Sequence, residues 1–201
     1  ASLGIEGEAR GALVNLGTGV FCLHPTGARL ERRAGYLSGP LLRGPQGARY
    51  ALEGTVNGGG ATADRCAPGP TALPAVDPTP GSYCLPDENG LGAPHWRAEQ
   101  PFVLTAAPGQ TPADRRRAVL EGLVFRVHAI LEDLGVGAER VLVSGGLAAE
   151  PFVPAALAAT LGRPIEVLLE EETTLLGAAR LAAGPAARAA APRTRVVGPE
   201  P

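Results

Sequence analysis

The sequence predicts an α/β domain in which a mixed sheet carries helices on its faces. Short apolar runs at the start of the chain indicate a β-meander. After residue 110 the helical and strand patterns alternate, which is typical of a sheet that includes parallel strands. The chain has 201 residues, of which 45% are hydrophobic and 19% charged, and this is enough apolar material for one buried core.

The meander begins with two apolar runs, at 11–16 and 20–23, on either side of Gly17-Thr18-Gly19. A glycine-containing loop between two such runs predicts a β-hairpin. Residues 28–33 are predicted to be a third strand.

The middle of the chain is predicted to be less regular. Residues 50–66 include Gly58-Gly59-Gly60, and we predict a helix that contains this glycine cluster or is preceded by it, although glycine is costly inside helices. Residues 67–110 contain nine prolines. A connection of this length is unusual inside a compact domain, so we predict a loop-rich insertion within a domain that spans 1–183.

A long amphipathic helix is predicted over about 112–134. Thr111 suits an N-cap, Pro112 suits the first helical position, and Gly135 ends the pattern. The arginines at 115–117 are predicted to lie on the solvated face of the helix start. Apolar residues recur at three- and four-residue spacing and define the buried face: Leu120, Leu123, Val124, Val127, Ile130, Leu131 and Leu134.

The rest of the chain alternates strand and helix. A strand is predicted over 140–143, and the turn Ser144-Gly145-Gly146 follows it. Residues 184–201 show no periodicity and are predicted to be a disordered tail. The elements between are a helix over about 150–161, a strand over 165–168 and a helix over 173–183.

Charge and cysteine content argue against several classes of partner. The formal net charge is −2, too small for a long-range field that would hold nucleic acid or an anionic membrane. No apolar run approaches the roughly 18 residues of a membrane-spanning helix. The three cysteines and three histidines share no metal-ligand spacing. An odd number of cysteines does not suit a disulfide framework, so we expect a reducing, cytoplasmic environment.

Three glycine-containing segments could contact an anionic ligand. A turn such as Gly17-Thr18-Gly19 exposes backbone N–H groups and a hydroxyl, although a hairpin can also need glycine only for positive φ. Ser144-Gly145-Gly146 lies between a strand and a helix, where open α/β sheets bind ligands, but it could equally be an ordinary connection. Gly58-Gly59-Gly60 could serve close packing or face a ligand. From the residues alone these alternatives stay open.

Six segments of the chain, in their order, resemble the C-terminal domain of the FGGY carbohydrate kinases. Among these kinases, the chain is most similar to the glycerol kinases. The resemblance covers roughly residues 11–183. Six segments carry it: Asn15-Leu-Gly-Thr-Gly-Val-Phe21, Tyr50-Ala-Leu-Glu-Gly-Thr-Val56, Gly90-Leu-Gly-Ala-Pro-His-Trp96, Arg117-Ala-Val-Leu-Glu121, Val143-Ser-Gly-Gly146 and Glu172-Thr-Thr-Leu-Leu-Gly-Ala-Ala179.

The resemblance implies an actin-like ATPase domain with an RNase H-like fold and a site for ATP with Mg²⁺. It also implies which residues form this site. They are Gly17, Thr18 and Gly19 at the phosphates, Gly60 and Asp64 near the nucleotide, and Gly145, Gly146, Leu147 and Glu150 around the adenine.

Four positions depart from the residues that are most frequent in the family. Asp64 stands in place of Gln, and Ser144 in place of Asp. Leu147 replaces Ala, and Glu150 replaces Asn. The two added carboxylates are expected to weaken the binding of an anionic ligand.

The resemblance implies the ATP-binding half of a kinase that transfers the γ-phosphate of ATP to a hydroxyl of glycerol or a related sugar. The aspartate that serves as the base in this family corresponds to a position just before Ala1. No residue of this chain is therefore predicted to be catalytic or a metal ligand, and the isolated chain, without the sugar-binding first domain, is expected to be inactive. The alternative is a degenerate, non-catalytic domain that serves oligomerisation or regulation. Exposure of the surface that would face the first domain also predicts self-association.

Overall fold

A seven-stranded mixed sheet forms the centre of the part of the chain that the structure describes, residues 11–44, 47–68, 82–105, 107–170, 172–183 and 192–199. The structure is a computed structural model. The strands of this sheet are β1 (Ala12–Leu16), β2 (Val20–Gly27), β3 (Leu37–Gly44), β4 (Gly47–Val56), β7 (Val141–Ser144), β8 (Ile165–Leu168) and β9 (Thr194–Val197). Two further strands, β5 (Tyr83–Leu85) and β6 (Val103–Thr105), form a separate pair.

The strand order in the large sheet is β3-β4-β2-β1-β7-β8-β9. Strands β1 to β4 pair antiparallel, whereas β7 pairs parallel with β1 and β8 pairs parallel with β7. A four-stranded antiparallel half thus leads into an alternating α/β half, which confirms the predicted mixed α/β fold class. Because β1 and β7 run in the same direction, their carboxyl ends meet at one edge of the sheet.

The antiparallel half has four strands where the sequence predicted a meander of three, and β3 lies at the edge beyond β4, so β2 pairs with β4 and not with β3. The hairpin of β1 and β2 is confirmed, but residues 28–33 connect strands and are not themselves a strand. The segment from Tyr50 to Val56 belongs to β4 and not to a helix. Gly54 interrupts the β-branched and apolar pattern of this strand. Close packing requires glycine here, because a Cβ would lie 2.6 Å from Cγ2 of Ile130.

Four α-helices accompany the sheet in the described residues: α1 (Gly60–Cys66), α2 (Pro112–Leu134), α3 (Phe152–Leu161) and α4 (Thr173–Ala183). Helix α2 begins and ends as predicted. The hydroxyl of Thr111 accepts a hydrogen bond from Asp114 N at 3.2 Å, and Gly135 closes the helix at φ 76°. A 3₁₀ turn over Gly146–Ala149 precedes α3, so this helix begins two residues later than predicted.

The main core lies between the sheet and the helices α2 and α3. Alternation along β1 points Val14 into this core and Leu13 to the opposite face, where Leu13 packs with Leu142 and Leu168. All seven residues of the predicted apolar face of α2 are buried. Among the described residues, none of the helices is both long enough and apolar enough to span a bilayer.

A buried ion pair holds part of the predicted insertion against the sheet. Asp87 is fully buried, and its Oδ1 accepts hydrogen bonds from Asn57 N at 3.0 Å and Gly92 N at 2.9 Å. Arg126 of α2 donates from Nε to Asp87 Oδ2 at 3.1 Å and from a terminal nitrogen to the Ala93 carbonyl at 2.7 Å. The segment after β5 is therefore anchored to the end of β4, immediately before the glycine cluster. Residues 69–81 and 106 of the predicted insertion lie outside the described residues.

The predicted disordered tail contains a strand. Thr194–Val197 forms β9, which pairs antiparallel with β8 at the edge of the sheet. The prediction was wrong for these four residues because the run is too short for periodicity to reveal it. Its threonine and two valines nevertheless favour extended backbone. Residues 184–191 and 200–201 lie outside the described residues.

Candidate functional site

Three glycine-containing segments meet at the edge of the sheet where β1 and β7 end. In the parallel pair, Asn15 lies opposite Ser144. On the other side, Val20 at the start of β2 lies opposite Val56 at the end of β4. The turn 17–19, the cluster 58–60 and the turn 144–146 therefore leave the sheet at the same edge. The sequence predicted each segment separately, and the topology brings all three together.

The start of α1 packs directly on the turn between β1 and β2. Gly60 N donates a hydrogen bond to the Gly17 carbonyl at 2.9 Å. A Cβ on Gly59 would lie 2.5 Å from the same carbonyl oxygen and closer still to that of Thr18. Only glycine at position 59 permits this approach, so the cluster serves close packing at this position.

The turn after β7 packs on the end of β1 in a similar way. Gly145 has φ 94°, a region that disfavours other residues, and a Cβ there would lie 2.5 Å from the Leu16 carbonyl oxygen. Ser144 Oγ lies 3.3 Å from Asn15 Oδ1 and joins the two parallel strands through their side chains. The two turns are thus fixed relative to each other.

Three other glycines at this edge are not required by the fold. Gly17, Gly19 and Gly146 do not have positive φ in the left-handed range, and an added Cβ would meet nothing closer than 3.4 Å. The interpretation of the hairpin as a turn that needs positive φ is therefore wrong. Without side chains here, the backbone is open to a ligand. Thr18 is exposed between Gly17 and Gly19, and its hydroxyl makes no hydrogen bond to another described residue.

The start of α1 also packs against the 3₁₀ turn. A Cβ at Gly60 would lie 3.6 Å from Leu147 Cγ, and Leu147 is buried at 5% exposure. Asp64 lies four residues after Gly60 and so on the same face of α1. Glu150 lies directly after the 3₁₀ turn. Gly60, Asp64, Leu147 and Glu150 thus lie together where α1 meets the 3₁₀ turn.

Arg116 of α2 joins α1 to the end of the 3₁₀ turn. One terminal nitrogen donates to Asp64 Oδ1 at 2.6 Å and to the Ala67 carbonyl at 3.1 Å, and the other donates to Glu150 Oε1. Arg116 is only 1% exposed. Burial alone would lower the pKa of this guanidinium, but the hydrogen bonds that it donates to the carboxylates of Asp64 and Glu150 raise this pKa above its ordinary value.

One prediction is corrected by this arrangement. Arg116 and Arg117 are buried, not solvated. Arg117 donates to Glu121 Oε1 at 2.8 Å and lies 5.6 Å from the centre of the Phe152 ring. The expectation that the carboxylates of Asp64 and Glu150 weaken anion binding stays a prediction, and Arg116 offsets one of their two charges. The helical spacing contained the signal, because Arg116 precedes Leu120 by four residues and so falls on the buried face.

A depression of about 490 Å³ lies at the opposite edge of the sheet and does not include any predicted site residue. Its charged side chains are already bonded within the protein. Arg140 pairs with Glu166 at 2.6 Å, and Arg163 donates to the Val136 carbonyl at 2.9 Å. It is therefore a poorer candidate for an anionic ligand than the edge with the three turns.

Comparison with known proteins agrees with this architecture. The family model described as "FGGY family of carbohydrate kinases, C-terminal domain" matches residues 12–184. The chain belongs to this FGGY family. The resemblance inferred from six sequence segments is thereby confirmed, and the matched range includes the three turns, α1 and the 3₁₀ turn.

Relatives within the FGGY family include bacterial glycerol kinases. The chain is 32% identical over 193 residues to a glycerol kinase of Brevibacillus brevis, which is 88% of this chain and 38% of that protein. It is 33% identical over 182 residues to a glycerol kinase of Symbiobacterium thermophilum, covering 83% of this chain and 36% of that protein. The chain therefore spans well under half the length of these relatives.

Solved FGGY kinases share the fold. The structure of Plasmodium falciparum glycerol kinase with ADP matches with a TM-score of 0.74 at 21% identity, over 99% of this chain and 44% of that one. Xylulose kinase from Rhodospirillum rubrum matches with a TM-score of 0.73 at 21% identity, over 100% of this chain and 45% of that one. The predicted actin-like ATPase fold is confirmed.

Proposed function

We propose that this chain is the ATP-binding half of a carbohydrate or polyol kinase. One observation carries the proposal: in an FGGY C-terminal domain, three turns converge on one sheet edge and leave Gly17, Gly19 and Gly146 without a fold-imposed need for glycine. Bare backbone at such an edge suits the approach of phosphates and a flat base. The ADP named with the Plasmodium falciparum relative supports a nucleotide as the ligand.

Each part of the edge has a proposed role. The backbone of Gly17 and Gly19 and the hydroxyl of Thr18 bind the phosphates of ATP. Gly60 lets the nucleotide pass close to α1. Gly145 and Gly146 form the floor beneath the base, and the side chain of Leu147 packs against it. Asp64 and Glu150, which are joined by Arg116, lie near the base.

The residues present fit a nucleotide that brings its own Mg²⁺. In the described part of the chain, no group of three or more His, Cys, Asp or Glu side chains is placed to hold a metal ion. Magnesium at phosphate-transfer sites is commonly bound by one or two carboxylates together with substrate phosphates and water. When bound, Mg²⁺ would neutralise phosphate charge, and Thr18 and the turn amides would orient the γ-phosphate.

The proposed reaction transfers the γ-phosphoryl group of ATP to a hydroxyl of the acceptor. The acceptor oxygen bonds to phosphorus as the bond to the β–γ bridging oxygen breaks, and the hydroxyl proton passes to a carboxylate base. By the FGGY resemblance no residue of this chain is proposed as that base, so this chain alone is proposed to bind nucleotide without catalysing transfer. The names of the bacterial relatives support glycerol as the acceptor, and they favour a kinase half over a non-catalytic module.

Substitution of Thr18 tests the phosphate role. Thr18→Ala removes one hydrogen bond to a charged oxygen, which is typically about 1.5–3 kcal/mol, so we expect the affinity for ADP with Mg²⁺ to fall by roughly ten- to a hundredfold in calorimetry. Thr18→Ser retains the hydroxyl and serves as the matched control, with affinity near that of the parent chain. Equal affinity of the alanine variant and the parent would show that Thr18 does not bind the phosphates.

A further inference from the structure

Strand β9 leaves one edge of the seven-stranded sheet unpaired. It is the last strand in the sheet order, and no further strand lies beyond it in the part of the chain that the structure describes. It pairs with β8 in an unbroken antiparallel register, from Thr194 opposite Leu168 to Val197 opposite Ile165. A strand at a sheet edge presents unused backbone donors and acceptors, which can pair with another strand.

The hydrogen-bond pattern along β9 decides which backbone groups face outward. Leu169 N donates to the Arg193 carbonyl at 3.0 Å, so these two residues form a hydrogen-bonded pair directly before the strand. Hydrogen-bonded and non-bonded pairs alternate in an antiparallel ladder, so the N–H and C=O groups of Arg195 also point toward β8. Those of Thr194 and Val196 therefore point to the open side.

The other edge of the sheet is protected against pairing, whereas β9 is not. The outer strand there, β3, contains Pro40, a shift of register between Pro40 and Leu42, and the exposed Arg43. Proline, bulges and charged side chains keep sheet edges from pairing. Strand β9 has neither a proline nor a bulge, and its Val196 is 69% exposed. The two edges of the sheet thus differ in their readiness to accept a further strand.

The charged side chains near the open side are engaged within the chain. Glu166 of β8 pairs with Arg140 at 2.6 Å. Arg195 donates to the Ala148 carbonyl in the 3₁₀ turn at 3.4 Å, so its guanidinium reaches back toward its own domain. The open side therefore offers mainly backbone groups and the apolar Val196, and the same strand of a second copy would present the same groups in return.

We propose that this edge binds a second copy of the chain, β9 against β9, so that two sheets continue as one. A two-fold axis at Val196 places this residue opposite its own copy and lets the outward-facing groups of both strands form ladder bonds. It sets Arg195 opposite the partner's Val197. It sets Thr194 opposite the partner's Gly198, where an added Cβ would meet nothing within 4 Å of the same chain. An axis at Arg195 would instead oppose two like charges, which is unfavourable.

Sedimentation velocity on the whole chain, from about 10 µM to 1 mM, tests this dimer. We expect a dissociation constant on the order of 0.1 mM, because one pair of short strands forms a small interface. Val196→Lys and Val196→Glu should each weaken the dimer roughly five- to thirtyfold, since like charges then lie opposite each other and the valine contact is lost. An equal mixture of the two variants should recover dimers, because residue 196 faces residue 196 of the partner.

Val196→Pro tests the backbone pairing. The N–H of Val196 points outward, so proline removes a donor of the proposed interface without breaking a hydrogen bond to β8. We expect the dimer to weaken at least about tenfold, with a circular dichroism spectrum like that of the parent chain. If this variant does not fold, the mixture of Val196→Lys and Val196→Glu decides alone, since the Val196 side chain is exposed.

Leu175→Ala is the matched control. It shortens an apolar side chain of α4 that is 66% exposed and lies outside β9, so the dimer should keep its dissociation constant within about twofold. A parent chain that stays monomeric at about 1 mM would overturn the proposal. So would a dimer that persists in Val196→Lys and Val196→Pro, or a mixture of Val196→Lys and Val196→Glu that remains monomeric. The altered residues lie outside the proposed nucleotide site, so ADP binding should be equal in all variants, and the two proposals can fail separately.

Discussion

Replacing Gly59 with alanine is expected to lower the affinity for ADP at least about tenfold, since the new methyl group separates the start of α1 from the turn Gly17–Gly19. A Cβ at this position would lie 2.5 Å from the Gly17 carbonyl oxygen and closer still to that of Thr18. Both oxygens belong to the backbone. The start of α1 must move away, which breaks the hydrogen bond from Gly60 N to Gly17. Gly59 is extended at φ −176°, so the effect is steric and not conformational.

The matched control for this substitution is Gly39→Ala in β3. A Cβ there would meet nothing within 4 Å, so both stability and affinity should stay close to those of the parent. Isothermal titration with ADP and Mg²⁺ measures the affinities, and circular dichroism confirms that both variants fold. If a folded Gly59→Ala chain binds ADP as well as the parent, the contact between α1 and the turn is not part of the site.

Replacing Asp87 with alanine is expected to lower the free energy of unfolding by about 3–5 kcal/mol, because it leaves the Arg126 guanidinium partly buried without its counter-ion. It also removes the acceptor for Asn57 N and Gly92 N, two backbone donors that are then left unpaired. Urea denaturation followed by circular dichroism measures the change.

Two companion variants separate the buried pair from general effects of charge removal. Asp87→Ala/Arg126→Met removes both charges and should recover part of the lost stability, as expected when a buried pair is replaced as a unit. Glu132→Ala removes an exposed carboxylate of α2, 69% exposed, and should change stability by less than about 0.5 kcal/mol. A loss of less than about 1 kcal/mol for Asp87→Ala would contradict the anchoring role.

The sequence predicted well those elements that repeat their pattern over several turns or carry explicit end signals. Helix α2 combines a cap at Thr111, proline at its first position and Gly135 at its end, and the structure reproduces its bounds. Helix α4 and strand β8 also match the predicted ranges. In each case local signals and burial agree.

Elements that depend on partners far along the chain were predicted less well. Strand β4 contains Gly54, which is required by the close approach of Ile130. Ile130 lies 76 positions later, so no local pattern reveals this contact. Strand β9 is only four residues long and gains its hydrogen bonds from β8. The spacing of α2 places Arg116 on the buried face, but its partners Asp64 and Glu150 come from other segments that no local pattern reveals.

The candidate site was predictable as three separate glycine motifs but not as one place. The motifs lie together because β1 pairs in parallel with β7, which sets Asn15 opposite Ser144. The distinction between packing and open glycines also required the fold, since Gly59 and Gly60 are neighbours in sequence but only Gly59 is severely crowded. Family membership then gives the open glycines their proposed ligand.

The most direct test of the nucleotide site is to follow the backbone amide signals of the ¹⁵N-labelled chain by NMR while ADP with Mg²⁺ is added. We predict saturable shifts concentrated at Gly17, Thr18, Gly19 and Gly60 and at the 3₁₀ turn Gly146–Ala149. Shifts confined to the opposite edge around Arg163, or no shifts at millimolar ADP, would contradict the proposal that these three turns form a nucleotide site.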